Sequence, residues 1–188
     1  MTAALNGKPV LRFTSDVLET GAAAPDTDAA SVLMVAKVTT ATSYGMLLCY
    51  GQNTAGTWNF GESADTGKLN LRNGQNNAGP LSDASLQGQG FKLLEGSFTA
   101  GDAWRIWENG VLKASNTVSF LQINGYAFDM AGRAGAYFLD GDIAEVMVYN
   151  RALSSNEQAQ AGRYLADKYG IQTLYPALPT RGTVIEMR

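Results

Sequence analysis

Over 188 residues, 45% hydrophobic and only 16% charged, the chain has the composition of a globular protein with one sizeable core. Its 14 basic and 17 acidic residues sum to −3 and are scattered, which excludes the dense cationic face that a nucleic acid needs. The absence of histidine excludes histidine-dependent nucleophilic triads and the commonest zinc ligand, and a single cysteine excludes an intrachain disulfide.

In chain order, Val10–Phe13 predicts a first short strand, followed by Leu18 and the Ala-rich stretch Thr20–Asp28. Ser31–Val38 is apolar at nearly every position, which predicts a strand covered on both faces, and Gly45–Tyr50 is a second such run. Within it Cys49 reads as a small buried hydrophobe. Residues alternate around Trp58 and Phe60, turn through Ser63–Thr66 and alternate again at Leu69 and Leu71, as in a hairpin. Asn73–Gly90, rich in Asn, Gln and Gly, predicts an irregular loop, and Phe91–Phe98 predicts a strand. The clearest hairpin is Trp104–Glu108, Asn109-Gly110, Val111–Ala114, because Asn-Gly tolerates positive φ at both positions of a type I′ turn.

Ala127–Met130 and Ala136–Leu139 are shorter strand candidates, and Ile143–Tyr149 is a strong one. One helix follows. Ser154 and Glu157 form a capping-box pattern, Ala161, Tyr164, Leu165 and Lys168 or Tyr169 supply a helical stripe, and Gly170 stands where a left-handed C-cap belongs. The fold class expected is therefore all-β: a two-sheet antiparallel jelly-roll sandwich over residues 1–173 with one short C-terminal helix. Residues 174–188, which contain Pro176 and Pro179, are expected to form an extended arm pairing with an edge of its own sandwich or of a neighbour.

This order of elements resembles the concanavalin A-like lectin/glucanase superfamily, in particular laminin G-like domains of bacterial and phage type. Three stretches carry the resemblance: Leu5–Phe13, the hairpin Trp104–Leu112, and Gly141–Ser154 continuing through Tyr164–Ile171. The resemblance implies the sandwich fold, and its glucanase members make paired carboxylates the first chemistry to look for. Asp142 and Glu145 are the nearest imitation, but at three residues apart they are expected on opposite faces of a strand, so no enzyme activity is expected. No cofactor is expected. Calcium, common among relatives, leaves Asp102, Asp129, Asp140 and Asp142 as donors, without the spacing of a dedicated loop.

Two features point to binding instead. Trp104 and Trp107, three residues apart, are expected on opposite faces of one sheet, so that one ring lies outside the core, where a sugar can stack. The amide-rich segment Asn73, Gln75 and Asn76, near Trp58, offers paired donors and acceptors for hydroxyls, although such residues are also ordinary loop residues. The expected partners are carbohydrate or neighbouring protein subunits, with no nucleic acid and no membrane, since no apolar run approaches the ~20 residues of a membrane helix. The functional expectation is a non-catalytic binding or adhesion module on the surface of a larger assembly. The alternative is a structural accessory protein of a phage virion, and a homo-oligomer fits either. No signal-peptide pattern opens the chain, and an extracellular surface or virion is the expected setting.

Overall fold

The computed structural model describes residues 3–21, 28–40, 45–51, 56–62, 67–74, 79–119, 126–133 and 135–177. Its strands run β1 (Ala3–Leu5), β2 (Lys8–Pro9), β3 (Leu11–Phe13), β4 (Leu18–Glu19), β5 (Ala29–Thr40), β6 (Met46–Tyr50) and β7 (Trp58–Glu62). They continue as β8 (Lys68–Asn73), β9 (Leu81–Ser85), β10 (Lys92–Thr99), β11 (Ala103–Glu108), β12 (Val111–Thr117), β13 (Phe128–Met130) and β14 (Asp140–Tyr149), before helix α1 (Ser155–Tyr169). Two six-stranded sheets result. The front sheet has the order β12-β11-β10-β5-β14-β3, the back sheet β4-β13-β6-β7-β8-β9, and β1-β2 is a separate hairpin. Each strand pairing in these sheets is antiparallel.

Strand β5 organises the front sheet. Its alternate residues Val32, Met34, Ala36 and Val38 enter the core between the sheets, where they meet Leu48, Phe60, Leu71 and Phe98. The intervening Leu33 and Val35 face outwards, and there Leu165 and Tyr169 of α1 cover them together with Leu93. Both faces of β5 are thus dry, which is why its sequence is apolar almost throughout.

The helix is set by its ends. Ser154 Oγ accepts from the Glu157 amide, and the Glu157 carboxylate accepts from the Ser154 amide. Gly170, at φ 68°, closes the helix in the left-handed conformation, and its amide bonds to the Ala166 carbonyl. Arg151 grips Glu157 with two nitrogens at 2.7 and 2.9 Å, so the Glu157 carboxyl is held down at about 2.

The strong hairpin lies at Asn109-Gly110, with φ of 51° and 81°. Asn6-Gly7 makes the same turn between β1 and β2, at 47° and 69°. Two expectations are corrected. Leu81–Ser85, read as loop, pairs with β8 as an edge strand whose mixed burial hides it from a hydrophobic pattern. Ala136–Leu139, read as strand, supplies only an isolated bridge between Arg133 and Ala136 before β14 begins.

The first residues of the arm dock on their own chain. The Leu174 amide and Thr173 hydroxyl both bond to the Asn109 carbonyl at 3.0 Å, and the Tyr175 ring lies on Gly162 of α1. Residues 178–188, most of the arm, lie outside the described residues. Beneath α1, the Tyr175 hydroxyl donates to the buried carboxylate of Glu95 and accepts from Gln158 Nε2 at 3.2 Å. Burial pushes the Glu95 carboxyl up to about 8, against the opposing pull of Tyr175 and Gln158. The folded chain therefore holds a proton that the unfolded chain releases between about pH 4.3 and 8. Stability is fully present below this window and falls as pH rises through it. Glu95→Gln, which mimics the protonated acid, should leave melting unchanged near pH 4 and raise the melting temperature at pH 9. Each ~1 kcal/mol of relief would appear as roughly 2–4 °C in calorimetry.

Candidate functional site

Of the six residues singled out for ligand contact, the four described ones, Trp58, Asn73, Trp104 and Trp107, do not converge on one exposed surface. Trp58 and Trp104, 2% and 0% exposed, lie in the inter-sheet core. Trp58 stacks on Tyr50 and Trp104 on Phe98, so neither ring offers a platform to a ligand. Their neighbours explain this: each strand's other core residues, Phe60 in β7 and Ile106 in β11, have the same parity. Asn73 is buried at the end of β8 and donates to the Ser119 carbonyl at 3.3 Å, a structural tie. Trp107 does lie on the opposite face from Trp104, half-buried beside Glu95 on the helix side of the front sheet. Gln75 and Asn76 fall outside the described residues.

A different face carries unexplained polarity. In the back sheet Tyr50, Trp58, Phe60, Leu69 and Leu71 point into the core, so Cys49, Asn59, Asn70 and Arg72 point outwards. The strand register aligns Glu19, Asp129, Cys49, Asn59 and Arg72 in one cross-strand row through β4, β13, β6, β7 and β8. Outer faces of sandwiches are normally wet, yet Cys49, Asn59, Asn70 and Arg72 are all buried. Neither amide atom of Asn59 finds a hydrogen-bond partner, nor does Asn70 Oδ1. Orphaned buried polar atoms of this kind are rare.

The segment after β13 borders this face. Ala131 and Tyr137, with φ of 62° and 55°, occupy the left-handed region that side chains avoid. Backbone bonds hold the strain in place: the Ala131 amide to the Leu47 carbonyl, and the Met46 amide to the Tyr137 carbonyl. Between them Arg133 and Ala136 exchange two bonds, and the Arg133 guanidinium lies over the Tyr137 ring at 4.2 Å. Arg133 is buried and its Nη1 has no partner, whereas Tyr137 is 36% exposed. Burial pushes the Cys49 thiol up to about 12, with opposing influence from the charges of Arg133 and Arg72 and reinforcement from Asp129. The thiol is inert, and those three charges surround it.

The carboxylates of β14 need a correction. A bulge between Ile143 and Glu145 resets the alternation, so Asp142 lies opposite Lys37 and Glu145 opposite Val35. Both therefore share the helix-side face, not opposite ones. Each is engaged by its own cation: Asp142 by Arg12 at 2.8 Å and Glu145 by Lys168 at 2.7 Å. The calcium donors do not converge. Asp102 Oδ1 caps its neighbour's amide, Asp140 Oδ1 accepts from the Ser15 amide, Asp142 holds Arg12, and Asp129 lies on the back sheet. Among the described residues no three His, Cys, Asp or Glu side chains cluster as metal ligands. These aspartates do not fit a calcium site.

Two antiparallel six-stranded sheets, a helix on one outer face and a polar row on the other define a lectin-type β-sandwich. The chain belongs to the concanavalin A-like lectin/glucanase superfamily, whose laminin G profile matches residues 13–157. Among solved structures it is similar to the NanB sialidase from Streptococcus pneumoniae (K499G mutant), at 20% identity and a TM-score of 0.63, covering 79% of this chain and 26% of that one. It is also similar to the binding domain of botulinum neurotoxin DC in complex with SialylT, at 11% identity and a TM-score of 0.55, covering 73% and 36%. A third likeness, with 10% identity and the same TM-score and coverage, is to botulinum neurotoxin type C, described as interacting with two ganglioside molecules. The chain thus spans about a quarter to a third of these relatives, and the likeness to them is one of fold. A search of curated proteins finds no match.

Sequence reasoning that looked for aromatic rings and amide loops passed over Asn59, Asn70, Arg72, Arg133 and Tyr137. Asn59→Leu, which keeps the number of side-chain heavy atoms, removes two unpaired polar atoms whose burial costs about 1–3 kcal/mol. The variant should therefore be more stable than the parent by denaturant titration, whereas a residue that merely packs well would lose stability on replacement.

Proposed function

We propose that the protein is a non-catalytic glycan-binding module whose binding face is the outer side of the back sheet. The observation that carries this reading is the pair of unsatisfied amide atoms on buried Asn59, in the row between Asp129 and Arg72. A carboxamide presents a donor and an acceptor side by side, matching adjacent sugar hydroxyls, and the strained, part-exposed Tyr137 supplies a ring at the margin. The lectin-type fold, and relatives described in complex with SialylT and with gangliosides, favour a carbohydrate over other polar ligands. Catalysis is disfavoured because Asp142 and Glu145 are tied to cations on the other sheet.

Glycan-array binding or retention on immobilised polysaccharide tests the reading. Parent protein should be retained, and Asn59→Leu should bind at least about 10-fold more weakly while remaining folded, the loss expected for two hydrogen bonds. Retention equal in parent and variant would move the site away from this face. Aryl glycosides should show no turnover sensitive to Asp142→Ala or Glu145→Ala.

A further inference from the structure

We propose that the ligand of this face carries an anionic carboxylate, as in an acidic sugar, and that Arg133 receives it. The inference rests on the glycan-binding reading and adds the class of glycan.

Arg133 has no ion pair among the described residues, although it is 94% buried by its 6% exposure. A buried guanidinium is expensive unless an anion or several acceptors compensate it. One flat face is occupied by the Tyr137 ring at 4.2 Å, which leaves the in-plane N–H edge for hydrogen bonding. On that edge Nη1 is unbonded. Planar N–H edges match carboxylate oxygens better than they match a neutral hydroxyl, and such charge-assisted bonds are roughly twice as strong. Stacking and the strained turn at Ala131–Tyr137 hold the group in place before any ligand arrives.

The surrounding charge agrees. On the outward side of the back sheet Lys68, Arg72 and Arg133 face Asp129 and Glu19, three cations against two carboxylates. Glu19 is exposed at the rim, where water screens it, whereas both arginines are buried. Arg133 abuts the part-exposed Tyr137.

The test is titration calorimetry of the full chain with sialyllactose, galacturonate oligosaccharides, lactose and the methyl ester of the sialyllactose carboxylate. At least one acid should bind 10-fold or more tightly than its neutral counterpart, and esterification should abolish that margin without altering the protein. The sialyl and galacturonate arms distinguish the two sources of carboxylate. Arg133→Gln should reduce acid binding to the level of the ester and of lactose. If that variant fails to fold, the ester comparison still decides. Equal binding of acid, ester and lactose, lost in Asn59→Leu, would overturn the carboxylate inference and leave the glycan reading standing. Absence of binding to all four would overturn both.

Discussion

The two-sided burial of β5 is the constraint from which the rest follows. A strand that places Val32 and Met34 in one apolar layer and Leu33 and Val35 in another needs cover on both sides. The back sheet supplies the first cover and α1 the second. Each large aliphatic side chain so enclosed contributes roughly 1.5–3 kcal/mol relative to exposure. The capping box, Gly170 and the docking of Tyr175 are devices for keeping α1 in place. Once α1 occupies the outer face of the front sheet, the opposite outer face of the back sheet is the one left to carry polar chemistry.

Much of this was legible locally. Asn109-Gly110 specified its turn because few dipeptides accept two successive positive φ values, and Ser154 with Glu157 specified the helix start because those atoms reach each other only in that geometry. The same Asn-Gly signal at Asn6-Gly7 was present and went unread. Edge strand Leu81–Ser85 was hidden because its pairing is set by β8 and not by its own hydrophobicity. Asp142 and Glu145 were misplaced because a bulge changes parity without leaving a mark in residue spacing. For the site, the alternation of Asn59 with Trp58 and Phe60 looked like an ordinary wet face, and only the fold reveals that Asn59 is dry.

That dryness links stability and function. Asn59, Asn70 and Arg133 each carry an atom that the protein leaves unbonded, and Ala131 and Tyr137 hold backbone angles that most residues avoid. Strain and unsatisfied polarity tend to gather where a fold is shaped for something other than its own cohesion. Here both occur around one inert thiol on one sheet. On the opposite side of the molecule Asp142, Glu145 and Glu157 all have cationic partners.

Tyr175 has a practical meaning beyond its hydrogen bonds. Its ring rests on Gly162, where even a methyl group would collide with it, so the chain at this point is wedged against the buried side of α1, facing the front sheet. From there the row of Asn59 and Arg72 is separated by both sheets and the core between them. A tether attached beyond this point starts from the rear of the molecule. Surface-coupling the protein through that rear anchorage would turn the back sheet away from the support.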